Sequence, residues 1–348
     1  MTITKLRTSC SKMFKRIPVA IMTGVAICVI SPSIFASIDK TYCVYDPVGA
    51  NGIVFQKMKD YQVAALEWGV KFQLKPYTDE RVAEEDFKSG QCHAVSLTGI
   101  RGRKFNSFTG TIDSIGSVPS YEHMDTLLKT LSKSNAAKLM RSGEYEVAGI
   151  VPAGQVFLYV NDREIDSVGE MSGKKLGVLS SDPAQKIMSM SIGASPVNSS
   201  IATMYSQFNN RSIDIVSGPA IIYDAMELEK GLSPNGGILD YVVGQLTLQV
   251  LVRYDEFPSD FGQKSREYFA KELPKDFAQL KDSENSIDAK WWVNIPQENS
   301  TEYSELLRQA RLSLRDKGIY DGKMLTVLRK VRCKKNPAQS ECTATDKE

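Results

Sequence analysis

Histidine and tryptophan are scarce, and neither sign of charge prevails. With two histidines in 348 residues, a catalytic or metal site would have to be assembled from His93 and His123. Neither has a serine or cysteine nucleophile placed to partner it. That argues against an enzyme and against a metal or other cofactor. Basic residues outnumber acidic ones by two, too small an excess to attract nucleic acid. The apolar run of residues 19–30, interrupted by Thr23 and Gly24, falls short of the roughly 20 residues a membrane helix needs.

What the chain does have begins with Lys5, Arg7, Lys12, Lys15 and Arg16 ahead of that apolar run. This is the order of a secretory signal peptide. Pro32, Ser33 and Ala36 supply a breaker and small residues, so cleavage is expected after Ala36 and the mature chain is expected in the periplasm. Removing residues 1–36 takes five cations and no acid, which moves the formal charge from +2 to −3. The remaining roughly 300 residues exceed what one hydrophobic core usually fills, and two lobes are expected. Cys43, Cys92, Cys333 and Cys342 remain, an even number in an oxidising compartment. Their wide spacing favours disulfides over a zinc site.

Short apolar runs alternate with helical stretches, the pattern of an α/β fold with parallel strands. Residues 41–46 read as a strand. A Pro-Val-Gly-Ala-Asn-Gly loop leads from it to a helix with Phe55, Met58, Tyr61 and Ala65 at helical spacing. Strands at 71–77 and 93–97 flank a helix over 80–90. The grammar repeats at 175–179, then at Asp182 and Pro183 as helix cap and first turn, and again over 204–219. Residues 145–161 and 238–254 read as long strands that run between lobes as hinges. The chain from Pro258 onward reads as a charged helical segment in which Trp291 and Trp292 pack. The spacing divides the mature chain into lobe I over 37–155, lobe II over 156–250, and a return to lobe I with the helical segment over 251–348. A 2-1-3 strand order in lobe I would make Cys43 and Cys92 bridgeable, and Cys333 with Cys342 would close a small loop.

Over residues 168–228 the runs VGEMSGKKLGVL, IGASPV and MYSQFNNRSIDIVSGPAIIYDAMEL resemble the periplasmic solute-binding subunits of tripartite ATP-independent (TRAP) transporters, of the DctP type, as a divergent branch. The similarity extends more weakly over residues 40–270. The resemblance implies a two-lobed periplasmic-binding-protein-like fold of type II with an interdomain cleft. It also implies a small-molecule ligand, of a class that includes carboxylates, and delivery to the permease subunits of a TRAP-type transporter. The arginine with which that family grips a substrate carboxylate is matched here by Gly177. An envelope sensor of the same fold, read by a signalling partner, is the alternative.

In open parallel sheets ligands sit beyond the carboxyl ends of the strands. That places Tyr45, Asp46, Asn51, Thr98, Arg101 and Arg103 of the first lobe in the cleft, with Ser180, Ser181, Gly218 and Tyr223 of the second. Arg101 and Arg103 each follow a glycine within two positions and carry forked guanidiniums; one of the two is expected to replace the missing clamp and to select an anion. Asp182 is expected to cap a helix rather than touch a ligand.

Overall fold

Residues 37–348 are described by the computed structural model; the expected signal peptide, with Cys10 and Cys28, lies outside the described residues. Among these, ten strands form one sheet: β1 (Ile38–Tyr45), β2 (Val70–Tyr77), β3 (Ala94–Thr98), β4 (Arg141–Ser142), β5 (Tyr145–Val160), β6 (Lys175–Leu179), β7 (Ser195–Ser199), β8 (Ile215–Pro219), β9 (Gly237–Arg253) and β10 (Trp292–Val293). Helices α1 (Ile53–Glu67), α2 (Glu80–Lys88), α3 (Gly99–Gly102), α4 (Ser107–Gly110) and α5 (Tyr121–Leu131) precede β4. Helices α6 (Pro183–Ser191), α7 (Ile201–Asn209) and α8 (Glu229–Leu232) lie between β6 and β9. The last four are α9 (Phe261–Asn285), α10 (Gln297–Asp316), α11 (Gly322–Lys335) and α12 (Ser340–Thr343).

The strand order is β2-β1-β3-β9-β5-β8-β6-β7, with β10 on β9 and β4 on β5. Two parallel groups, β2-β1-β3 and β8-β6-β7, are joined by the antiparallel pair β9 and β5. By hydrogen bonds β9 joins the first group and β5 the second, while both pack into both cores, Val147 and Leu251 on one side and Phe157 and Ile238 on the other. The end of β9, Leu248–Val252, pairs with β3, while its start pairs with β10; β5 meets β8 through Val156–Val160. The β5–β9 register slips at Val147/Gly149, Pro152/Gly154 and Val156/Leu158. Extra residues of this kind bend a strand, so the shared strands turn as they pass from one lobe to the other.

Strands buried on both faces need apolar runs, and β3 is buried at all five positions. Helix α1 buries Phe55, Met58, Tyr61 and Ala65, the stripe legible in its sequence. They pack with Tyr42 and Val44 of β1 and with Phe261 and Phe269 of α9. Phe87 and Leu97 share the other large cluster with Cys43 and Cys92. Those two cysteines are bonded, as are Cys333 and Cys342. Trp291 differs from expectation. It lies in the lobe II core with Tyr159, Phe208 and Ile238, and Trp292 meets the Phe157 ring edge-on at 5.0 Å. The pairing of β10 with β9 draws both indoles away from the helical tail.

Candidate functional site

The loop after β1 is shaped by one carboxylate. Amides in the first turn of a helix have no intrahelical acceptors, and Asp46 supplies one from the preceding loop. Its Oδ2 accepts from Val54 N at 2.9 Å and Phe55 N at 3.1 Å, and its Oδ1 from Val48 N at 2.9 Å. The negative charge also suits the positive end of the helix dipole. Gly52, the residue before α1, has no alternative there, because any Cβ would fall on the Asp46 carboxylate.

Beside this loop a cavity of about 350 Å³ opens between the two parallel groups. Tyr45, Asp46, Asn51, Ile53 and Thr98 form the lobe I wall, and Val151, Pro152, Ala153, Leu246 and Leu248 of the shared strands form the back. Lobe II contributes Ile201 and Tyr205 of α7, then Pro219, Ile221, Ile222 and Ala225. Helix α9 adds Asp276, Gln279, Leu280 and Ser283. Lys57 of α1 donates to Asp276 Oδ1 at 2.5 Å. The Asp276 side chain is 6% exposed, and its Oδ2 is buried without a partner among the described residues. Burial raises the Asp276 carboxyl, against the pull of Lys57.

Of the residues expected in the cleft, Tyr45, Asp46, Asn51 and Thr98 line this cavity, and the other six stand outside its lining. Arg101 is held by two acids of α2: Nε donates to Glu80 Oε2 at 3.0 Å and Nη1 to Glu84 Oε2 at 2.6 Å. Burial would lift the Glu84 carboxyl, yet Lys88, Arg101 and Lys104 together bring it down to about 2. Arg103 reaches across to lobe II, donating to Asp182 Oδ1 at 3.1 Å, and its guanidinium lies 5.0 Å over the Tyr320 ring. Asp182 is also the cap of α6, accepting from Ala184 N at 3.1 Å. Ser180 is exposed and bonds Ser199 O at 3.3 Å; Ser181 and Tyr223 are half-buried. Gly218 leaves room for the Tyr205 hydroxyl. His93 accepts from Thr41 N at 3.0 Å, and His123 pairs with Ser120 Oγ at 2.7 Å, both away from the cavity.

The lobe II wall is therefore made by the flank of α7 and by residues 219–225 rather than by the loop after β6. Lys57, Asp276, Ile201 and Tyr205 are cavity-lining residues that sequence reasoning missed. A signal for Asp276 existed. It follows Leu273 by three positions and precedes Leu280 by four, which sets an acid on the apolar stripe of α9.

Comparison with known proteins agrees with this architecture. A family model described as solute-binding protein AdeT 1/2 matches residues 62–347. The chain belongs to that family. A relative from Acinetobacter baumannii, the probable solute-binding protein AdeT1, is 40% identical over 303 residues, covering 87% of this chain and all of the relative. The probable solute-binding protein AdeT2 of the same organism is 24% identical over 233 residues, covering 67% of this chain and 98% of that one. The chain also shares its fold with TRAP periplasmic solute-binding proteins. One from Desulfovibrio salexigens, with bound orotic acid, superposes with a TM-score of 0.70 at 14% identity, over 85% of this chain and 99% of the other. One from Haemophilus influenzae, with bound L-gulonate, gives 0.69 at 9% identity, over 84% and 99%. DctP7 of Bordetella pertussis, an extracytoplasmic solute receptor binding pyroglutamic acid, gives 0.66 at 12% identity, over 85% and all of that chain. The two-lobed α/β architecture and the resemblance to DctP-type proteins read from the sequence are thereby borne out. At Gly177 an added Cβ would lie 2.8 Å from Met204 Cγ, so an apolar side chain fills the side from which an arginine would project.

Proposed function

We propose that this AdeT 1/2 protein is a periplasmic solute-binding subunit, exported by its N-terminal signal, that captures a small molecule between its lobes without altering it and delivers it to the permease subunits of a TRAP-type transporter. The observation that carries this reading is a cavity walled by both lobes and backed by two continuous strands common to them. Such an arrangement lets one lobe swing against the other while the back wall stays intact. Tyr45, Asn51 and Thr98 contribute to the ligand wall. Arg103 serves capture at a distance, by pairing with Asp182 when the lobes are closed. We divide the lobes at residues 155 and 250, within or beside the shared strands.

Thermal unfolding against a panel of carboxylates, amino acids, amides and phosphates tests the proposal. A ligand at about a hundredfold over its Kd should add roughly 2.7 kcal/mol, and Ala225→Trp, at an exposed position on the cavity rim, should remove the shift. Chemical conversion of the bound molecule, or a shift that survives Ala225→Trp, would count against it.

A further inference from the structure

The charge around the cavity differs from what a carboxylate requires. Two tyrosines aside, its ionisable lining is Asp46, Lys57 and Asp276, two carboxylates and one ammonium. Asp46 already takes the amides of Val54 and Phe55. The start of α1, where an anion would otherwise be welcome, is thus closed by a group that repels one. Lys57 is engaged by Asp276, and Arg101 and Arg103 are engaged outside the cavity by Glu80, Glu84 and Asp182. No arginine stands among the lining residues.

The group left unpaired is an acceptor. Asp276 Oδ2 is buried with no partner among the described residues, on a side chain 6% exposed, and a buried carboxylate oxygen without a donor is unfavourable. Because Lys57 holds Oδ1, Oδ2 is the acceptor left over; it is closed off from the cavity in this structure, so a ligand donor meets it only where the lining shifts to admit one. The surrounding wall, with Val151, Ile201, Ile222, Leu246, Leu248 and Leu280, is aliphatic.

We infer that the cavity binds a net-uncharged small molecule with an apolar body and an N–H or O–H donor, and that the donor meets Asp276 Oδ2. This rests on the solute-binding reading and names its ligand class. The apolar body covers the aliphatic wall, and the donor satisfies the orphaned oxygen. A carboxylate on the same body would bring acceptor oxygens against Oδ2 and add a second negative charge beside it.

Two probes that differ only in the head group test this by calorimetric titration of the mature protein: phenylacetamide and phenylacetate. The amide should bind at least about tenfold more tightly, the factor expected when a hydrogen bond to a charged acceptor is made rather than opposed. Asp276→Asn should reverse the order, because Lys57 retains the side-chain oxygen and turns the NH2 toward the ligand. The carboxyl 13C resonance of Asp276 in the unaltered protein gives a readout independent of that variant, and it should move with phenylacetamide and not with phenylacetate. Tighter binding of phenylacetate, or a preference unchanged in Asp276→Asn, overturns the ligand class and leaves the solute-binding reading standing. A chain that binds neither these probes nor any carboxylate or amino acid loses both.

Discussion

Asp113 shows how a single carboxyl ties this fold to pH. It accepts from Thr247 Oγ1 at 2.6 Å and from Thr247 N at 3.1 Å, and burial pushes it up from 3.8 to about 7. Between those values the folded chain holds a proton that the unfolded chain has released. Stability therefore falls as pH rises from about 4 to about 7 and is level above that range. Asp113→Asn should flatten this part of the profile and raise stability at pH 8 by an amount of order 1–4 kcal/mol. Urea unfolding at pH 5, 6.5 and 8 checks it, and an unchanged slope would show that Asp113 ionises freely in the fold. Other acids show the limit of reading residues singly. Asp46 could be placed at the cleft because it follows a strand, but the closure of α1 by its carboxylate depends on the path of the loop. Arg101 and Arg103 read as a free pair because their partners, Glu80, Glu84 and Asp182, come from other elements.

Among the elements, the shared strands carry the sharpest constraint. Gly154 lies at a register slip of β5 with φ +121°, and a Cβ there would stand 2.9 Å from Pro219 Cβ of β8. Gly154→Ala combines disfavoured backbone with a clash and should lose about 2–3 kcal/mol. Gly69, at φ +78° with nothing within 4 Å of an added Cβ, separates the two effects: Gly69→Ala should lose about 1 kcal/mol. Denaturant midpoints of the two variants decide this, and equal losses would leave the packing of β5 against β8 without weight. The long strands themselves were legible, since residues 145–161 and 238–254 keep strand character far beyond ordinary strand length. The register slips were not, because they arise from how two strands meet. Helix α9 was legible as a helix, whereas its buried face was masked by abundant charge.

At the scale of the whole molecule one disulfide joins distant parts of the chain and the other closes a local loop. Cys43–Cys92 closes a separation of 49 residues and Cys333–Cys342 one of 9. Loop-closure entropy gives them about 4 and about 2.5 kcal/mol respectively. Replacing the first pair with alanines should therefore lower stability more than replacing the second, measured by urea unfolding without reductant. The reverse order would mean that the C-terminal loop, where Arg332 joins Glu341 at 2.6 Å and Glu348 at 2.6 Å, matters more than chain entropy. By itself the sequence determined the α/β class, two βαβ-type repeats, the two long strands, and a Cys43–Cys92 pair that a 2-1-3 strand order makes bridgeable. Each of these follows from local periodicity, from turn residues or from strand order within one lobe. The composition of the cavity wall was decided only by tertiary structure. Lys57 meets Asp276 across 219 positions, and Arg103 meets Asp182 across 79. Which charges cancel one another, and which atom is left unpaired beside a ligand, depends on helices from distant parts of the chain packing on one sheet.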